Sequence, residues 1–234
     1  MKNKVAYITG GTKGIGFGIA KEMLKNGIQV AISGRNIKDA EEAAAELSAE
    51  GNVLAVESDV RDAESEINAV SKIIERFGQL DYVIANAGLG IFKSVDEISS
   101  QEWNSMIDTN LTGVFHTMKA SLPELKKTEG FFISIASLAG VNFFENGSGY
   151  NASKFGLVGF TQAAMIDLRK FGIKVSTILP GSVSTYFNGN VPSEDDAWKI
   201  QPEDIGELVI DMLKMNPRTL PSKIEVRPSR PKGS

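Results

Sequence analysis

Seven short runs rich in Val and Ile alternate along this chain with six longer segments of helical period, and that alternation restricts the fold more than any other feature. The runs are KVAYIT (4–9), QVAIS (29–33), VLAVE (53–57), DYVIA (81–85), FFISI (131–135), KVSTIL (174–179) and a weaker KIEV (223–226). Helical segments fall between them, near 15–26, 37–50, 62–77, 101–127, 149–170 and 202–215. Strand and helix taken in turn give parallel strands joined by crossover helices that cover both faces of a sheet. The runs are apolar throughout instead of alternating with polar residues, as strands covered on both sides require. The expectation is a three-layer, doubly wound α/β fold around a seven-stranded, mostly parallel sheet. With 234 residues and no long linker or repeat, one domain over 1–228 accommodates it, followed by a Pro-rich basic tail at 229–234 that is expected to be flexible.

Glycine and proline gather where strands should hand over to helices. The first such place reads ITGGTKGIG, in which Gly10, Gly14 and Gly16 fall as G-x-x-x-G-x-G between the first strand and the first helix. Backbone N–H groups and the helix dipole meet there and suit a phosphate, although tight strand–helix packing alone would also use glycine. It is not a P-loop, since Lys13 is followed by Gly14 and not by Ser or Thr. The end of the second strand then discriminates between nucleotides. A carboxylate there would bond a ribose 2′-hydroxyl, whereas this chain has Gly34 and Arg35, with no acid before Asp39. Arg35 and Lys13, on loops that converge at the strand ends, favour a 2′-phosphate and hence NADP(H) over NAD.

A third feature is GYNASKFG, which sets Tyr150 and Lys154 four residues apart at the start of a helix. Residues so spaced share a helix face, and an ammonium near a phenol favours the phenolate. A surface lysine beside a half-buried ring would give the same pattern. Composition removes several other chemistries. There is no cysteine, so neither disulfide nor thiolate chemistry is available, and the lone His116 cannot build a multi-histidine metal site. The expectation is no metal, with His116 structural. A net charge of -4 argues against a broad nucleic-acid or anionic-membrane surface. The first strand begins too early to leave room for a signal peptide, and no apolar run approaches the roughly 18 residues of a membrane span, so a cytoplasmic protein is expected.

Together these motifs make the chain resemble the short-chain dehydrogenase/reductase family in its compact single-domain Rossmann form. The resemblance is carried by TGGTKGIG at 9–16, Asp59-Val60, Asn86-Ala87-Gly88, Asn110, Ser137, YNASK at 150–154 and Pro180-Gly181. It implies that Gly10, Thr12, Lys13, Gly14, Ile15 and Gly16 hold the dinucleotide phosphates and that Asp59 and Val60 frame the adenine. It also implies that Asn86 to Gly88 steady the sheet beside the cofactor, and that Thr185, with Val183 beside it, bonds the nicotinamide carboxamide. Asn110, Ser137, Tyr150 and Lys154 would form a catalytic tetrad.

The chemistry of the side chains agrees with that assignment. Reducing a carbonyl leaves charge on oxygen, so a proton donor and a hydrogen-bond donor must converge there. Tyr150 supplies the proton, Ser137 holds the carbonyl, and Lys154 lowers the phenol's pKa and bonds the nicotinamide ribose. Asn110, in a helix, would mark a kink or freed carbonyl that holds a water for proton resupply.

The segment 184–201 occupies the place of the family's variable substrate loop. Tyr186, Phe187 and Trp198 either wall an apolar pocket or anchor the loop, and Phe143 and Phe144 are expected to flank the same pocket. The implied reaction is NADPH-dependent reduction of a small ketone or aldehyde, reversible as alcohol oxidation. One alternative is a 3-oxoacyl-(acyl-carrier-protein) reductase. Reductases of that kind dock an acidic partner through basic residues at two positions that are Thr128 and Phe171 here, with only neighbouring Lys127 and Lys170 to compensate. Another is a non-catalytic NADP(H)-binding regulatory protein. By resemblance the chain is expected to form a homodimer or homotetramer.

Overall fold

The structure is a computed structural model that describes residues 1–230. The tail expected to be flexible lies outside the described residues from position 231 onward. Seven strands form one sheet: β1 (Val5–Thr9), β2 (Gln29–Gly34), β3 (Val53–Glu57), β4 (Tyr82–Ala85), β5 (Phe131–Ile135), β6 (Lys174–Pro180) and β7 (Lys223–Val226). Their order is β3-β2-β1-β4-β5-β6-β7, and every pairing is parallel, so the sheet goes beyond the mostly parallel expectation. The order reverses between β1 and β4, which opens a crevice at the carboxyl ends of those strands.

Helices α1 (Gly14–Lys25), α2 (Ile37–Leu47) and α7 (Pro202–Lys214) cover one face of the sheet. Helices α3 (Ala63–Phe77), α5 (Gly113–Thr128) and α6 (Ser148–Leu168) cover the other. Successive side chains of a strand point to opposite faces, so β1 divides its residues between two cores. Val5 and Tyr7 belong to one core with Val70, Ile73, Met118 and Leu168, whereas Ala6 and Ile8 belong to the other with Ile19, Met23, Leu47 and Val209. Each large aliphatic side chain so buried stabilises the fold by about 1.5–3 kcal/mol.

The helix starts are set by local chemistry. Asn36 and Asp62 cap α2 and α3 by accepting from the backbone N–H of Lys38 and Glu64, and α3 stops at Gly78, whose φ is 80°. Ser99 and Glu102 form a reciprocal capping box for α4 (Ser100–Ile107). Helix α1 differs, because Lys13 at its N-cap provides no side-chain cap and no acid stands in its first turn. The segment expected as one helix over 101–127 is interrupted. Residues Asp108–Thr112 widen into a π turn between α4 and α5, because the Asn110 side chain is drawn out of the helical surface into a buried network.

Candidate active site

A cleft of about 1360 Å³ runs along the carboxyl ends of the strands, from the β2 and β3 ends at one side to the 184–201 loop at the other. Its middle is floored by the glycine turn. Gly10 has a φ of +63°, and a Cβ there would lie 2.9 Å from the Ala87 Cα. Gly16 is as constrained, since a Cβ would come within 2.5 Å of Asn86 Nδ2 and of the Gly10 carbonyl. Asn86 ties the two loops together by donating from Nδ2 to the carbonyls of Thr9 and Gly10 at 3.0 and 2.9 Å. Thr9, which sequence reasoning passes over, completes the joint, its hydroxyl accepting from the backbone N–H of Asn86 and Ala87. The uncapped start of α1 therefore opens on a fixed backbone cradle, which suits an anion.

At the β2 and β3 end, Arg35, Asp39, Asp59, Val60 and Arg61 line the cleft. Arg61 grips Asp59, its Nε lying 2.9 and 3.0 Å from the two carboxylate oxygens, and this guanidinium holds the Asp59 carboxyl below its ordinary range. Asp39 accepts from Asn36 Nδ2 at 3.0 Å. With Asp59 balanced by Arg61, Arg35 faces the cleft as a cation. Lys13 also lines it, with Nζ 6.0 Å from the centre of the Tyr186 ring.

Toward the other end, Ser137 follows β5 and Tyr150 and Lys154 lie on the first turns of α6, all three lining the cleft. Tyr150 is only 7% exposed, and burial pushes its phenol up to about 12, while a hydrogen bond with Ser137 pulls the other way. Lys154 is 4% exposed, and burial draws its ammonium down to about 8. Sequence reasoning expects Lys154 to lower the phenol; the net direction is the opposite. The reason is geometric, because Lys154 Nζ donates to the Ile135 carbonyl at 3.1 Å and burial disfavours the charged form of both groups.

Asn110 is fully buried beside them. Its Oδ1 accepts from the Leu89 N–H at 2.9 Å, and its Nδ2 donates to the Leu89 carbonyl at 2.8 Å and to Ser153 Oγ at 2.9 Å. Both Nδ2 hydrogens and one Oδ1 lone pair are thus engaged within the protein. Gly14 and Gly16 sit behind the lining, against Thr185 and Asn86. Thr12, Ile15, Ala87, Gly88, Pro180, Gly181, Val183 and Thr185 all line the cleft.

The aromatic wall is different from the one expected. Phe143 is 83% exposed and stacks on Phe155 at 5.0 Å, outside the cleft, so its assignment to the substrate pocket is corrected. Phe92 takes that place, with its ring 5.3 Å from Tyr150, 5.6 Å from Phe144 and 6.4 Å from Phe187. Phe187 lies 5.8 Å from Tyr150 and rests on Gly90, where a Cβ would meet its ring at 2.6 Å. Tyr186 and Trp198 line the cleft. The apolar Ile91-Phe92 pair just after the Asn86–Gly88 turn was the available signal for Phe92. Among the described residues no three His, Asp or Glu side chains gather as metal ligands, and no helix is long and apolar enough to cross a membrane.

A family model for short chain dehydrogenases matches residues 4–196. The chain belongs to that family. As a short-chain dehydrogenase it is an oxidoreductase, and similar proteins match it over nearly its whole length. An uncharacterized oxidoreductase of Staphylococcus aureus (strain MRSA252) is 34% identical over 229 residues, covering 97% of this chain and 98% of that one. The solved alcohol dehydrogenase of the archaeon Thermococcus sibiricus, in complex with 5-hydroxy-NADP, is also 34% identical, with a TM-score of 0.91 and coverage of 97% and 98%. The 3-ketoacyl-(acyl-carrier-protein) reductase of Brucella melitensis, in complex with NADH, is 25% identical with a TM-score of 0.89 and 98% of each chain covered.

Proposed function

We propose that this short-chain dehydrogenase reduces a ketone or aldehyde to an alcohol with NADPH, and runs in reverse as an alcohol dehydrogenase. The observation that carries the reading is Tyr150, a buried phenol that lines, together with Ser137 and Lys154, the cleft whose middle is floored by the glycine turn at the uncapped start of α1. The residues present fit a dinucleotide. The glycine cradle and free N–H groups of α1 suit its phosphates, and Asp59 and Val60 suit the adenine. Arg35 suits a 2′-phosphate, with Lys13 as a second cation, and Val183 and Thr185 suit the nicotinamide. When bound, the reduced cofactor supplies the hydride.

The protein's own groups do the rest. Ser137 and Tyr150 converge on the carbonyl oxygen and orient it. As charge gathers on that oxygen, Tyr150 gives up its proton and the carbonyl becomes a hydroxyl. A phenol with a pKa of about 12 is fully protonated at neutral pH, so the donor is ready. Lys154 would hold the nicotinamide ribose and, as an ammonium, would stabilise the phenolate left behind. The π turn at Asn110 offers a backbone carbonyl to a water that returns a proton toward Lys154. Phe92, Phe144 and Phe187 exclude water and favour an apolar or aromatic carbonyl.

The acyl-carrier alternative fits less well. Thr128 turns its hydroxyl inward to the Leu80 carbonyl, Lys127 is paired with Glu124 at 2.7 Å, and Lys170 lies over the Phe171 ring at 5.2 Å instead of reaching toward an acidic partner. A regulatory protein without turnover would have no use for Ser137, Tyr150 and Lys154 together. Exposed Phe115, Ile166 and Phe171 on α5, α6 and the turn after α6 support a homodimer or homotetramer, and a cytoplasmic location remains part of the proposal. The test is NADPH oxidation by the purified protein with a panel of aromatic and aliphatic ketones and aldehydes and with 3-oxoacyl thioesters. Turnover of the small apolar carbonyls is expected, and turnover of the thioesters alone, or of nothing, would overturn the reading.

A further inference from the structure

Ser58, Asp59 and Val60, just past β3, line the cleft where the adenosine half of a dinucleotide would lie. Each of the three is held from behind by a different side chain. The Ser58 hydroxyl donates to Glu66 Oε1 at 2.6 Å, and the Asp59 N–H donates to Ser65 Oγ at 3.0 Å. The Val60 carbonyl lies 3.0 Å from His116 Nδ1. A carbonyl only accepts, so that nitrogen must carry the hydrogen.

Glu66, on α3, has no exposed surface, and its Oε1 also lies 2.9 Å from the Tyr7 hydroxyl, which is 3.1 Å from Ser33 Oγ. One carboxyl group thereby joins the middle of β1, the end of β2 ahead of Arg35, and the segment after β3. The site is expensive to build. Burial pushes the Glu66 carboxyl above its ordinary range and the Tyr7 phenol well above its own. Glu66 Oε2 has no hydrogen-bond partner among the described residues. An aliphatic side chain would pack here at lower cost. What the carboxyl adds, and an aliphatic group cannot, is a fixed acceptor for Ser58.

We propose that Glu66 and His116 are positioning residues for the dinucleotide, acting through Ser58 and Val60 to hold the surface against which the adenosine half rests. The inference rests on the dinucleotide reading of the cleft and adds to it two residues outside the lining. It also gives the single histidine of the chain a specific task.

The experiment is calorimetric titration of the full-length protein with NADPH and, separately, with adenosine 2′,5′-bisphosphate, beside steady-state kinetics. Glu66→Leu removes the acceptor and His116→Ala removes the donor, whereas Glu66→Gln and His116→Asn each keep a group of the right kind. Both removals are expected to weaken both ligands by the same factor, about tenfold, with kcat at saturating NADPH unchanged. The two conservative variants should bind as the wild type does. Wild-type affinity of Glu66→Leu and His116→Ala for the adenosine fragment would overturn the proposal, as would a loss of the same size in Glu66→Gln and His116→Asn. Should Glu66→Leu fail to fold, the half-buried His116 pair decides alone. A wild type that binds neither ligand refutes the dinucleotide reading together with this one, whereas a wild type that binds beside variants that bind equally refutes this one alone.

Discussion

The ammonium of Lys154 lies 5.8 Å from the centre of the Tyr150 ring, with its hydrogen bond turned away to the Ile135 carbonyl at 3.1 Å. The two groups are therefore neighbours without being bonded, and each titrates in the direction that burial alone dictates. Lys154 is drawn down to about 8 and Tyr150 pushed up to about 12. Carbonyl reduction needs the phenol protonated and the ammonium charged, so only Lys154 limits it near neutrality. The expected kcat/KM profile falls as pH rises past about 8. A profile flat through that pH would contradict the assignment.

The same shift has a consequence for stability. Between about 8 and the ordinary 10.5 the unfolded chain binds a proton at Lys154 that the folded chain has released, so folding becomes more favourable as pH rises through that window. Lys154→Met removes the buried charge and should abolish this rise while raising the melting temperature below pH 8. Thermal denaturation of both proteins at either end of the window measures it, and parallel curves would show that Lys154 is not the group responsible.

Arg35 stands where a carboxylate would select NAD. Arg35→Asp would turn an attraction for the proposed 2′-phosphate into a repulsion, and should weaken NADPH by about 10- to 100-fold while leaving NADH nearly unchanged. Ratios of KM for the two cofactors report it directly. An unchanged ratio would mean that the 2′-phosphate is held elsewhere.

Phe92 and Phe143 separate the structure from the sequence pattern. Phe92→Ala opens the wall beside Tyr150 and should raise KM for an aromatic ketone by about tenfold. Phe143→Ala, outside the cleft, should leave that KM alone. The reverse result would return Phe143 to the pocket.

Asn110→Ala would leave the Leu89 N–H, the Leu89 carbonyl and Ser153 Oγ short of partners. A loss of about 1–3 kcal/mol per buried group left unsatisfied is expected, read as a lower denaturant midpoint at unchanged slope. Stability equal to wild type would show that the clamp is dispensable.

The strand positions were legible because apolar β-runs and glycine turns are local signals, and the observed strands begin and end within a residue of them. The glycine cradle was legible for the same reason, since only glycine tolerates the φ of Gly10 beside Ala87. What escaped the sequence depends on side chains that meet across the fold. The π turn at Asn110 exists because of Leu89 and Ser153, distant in the chain. Phe143 and Phe92 look alike as loop phenylalanines, and only the path of each loop decides which one faces Tyr150. The sign of the Tyr150 shift follows from burial, which the spacing of Tyr150 and Lys154 does not encode.

The proposed proton donor is Tyr150, and Tyr150→Phe isolates that role, because it deletes the hydroxyl while keeping the ring against Phe92 and Phe187. The expected result is NADPH binding at wild-type affinity with carbonyl reduction slowed by about 10²- to 10⁴-fold. Reduction at the wild-type rate by the Tyr150→Phe protein would contradict it.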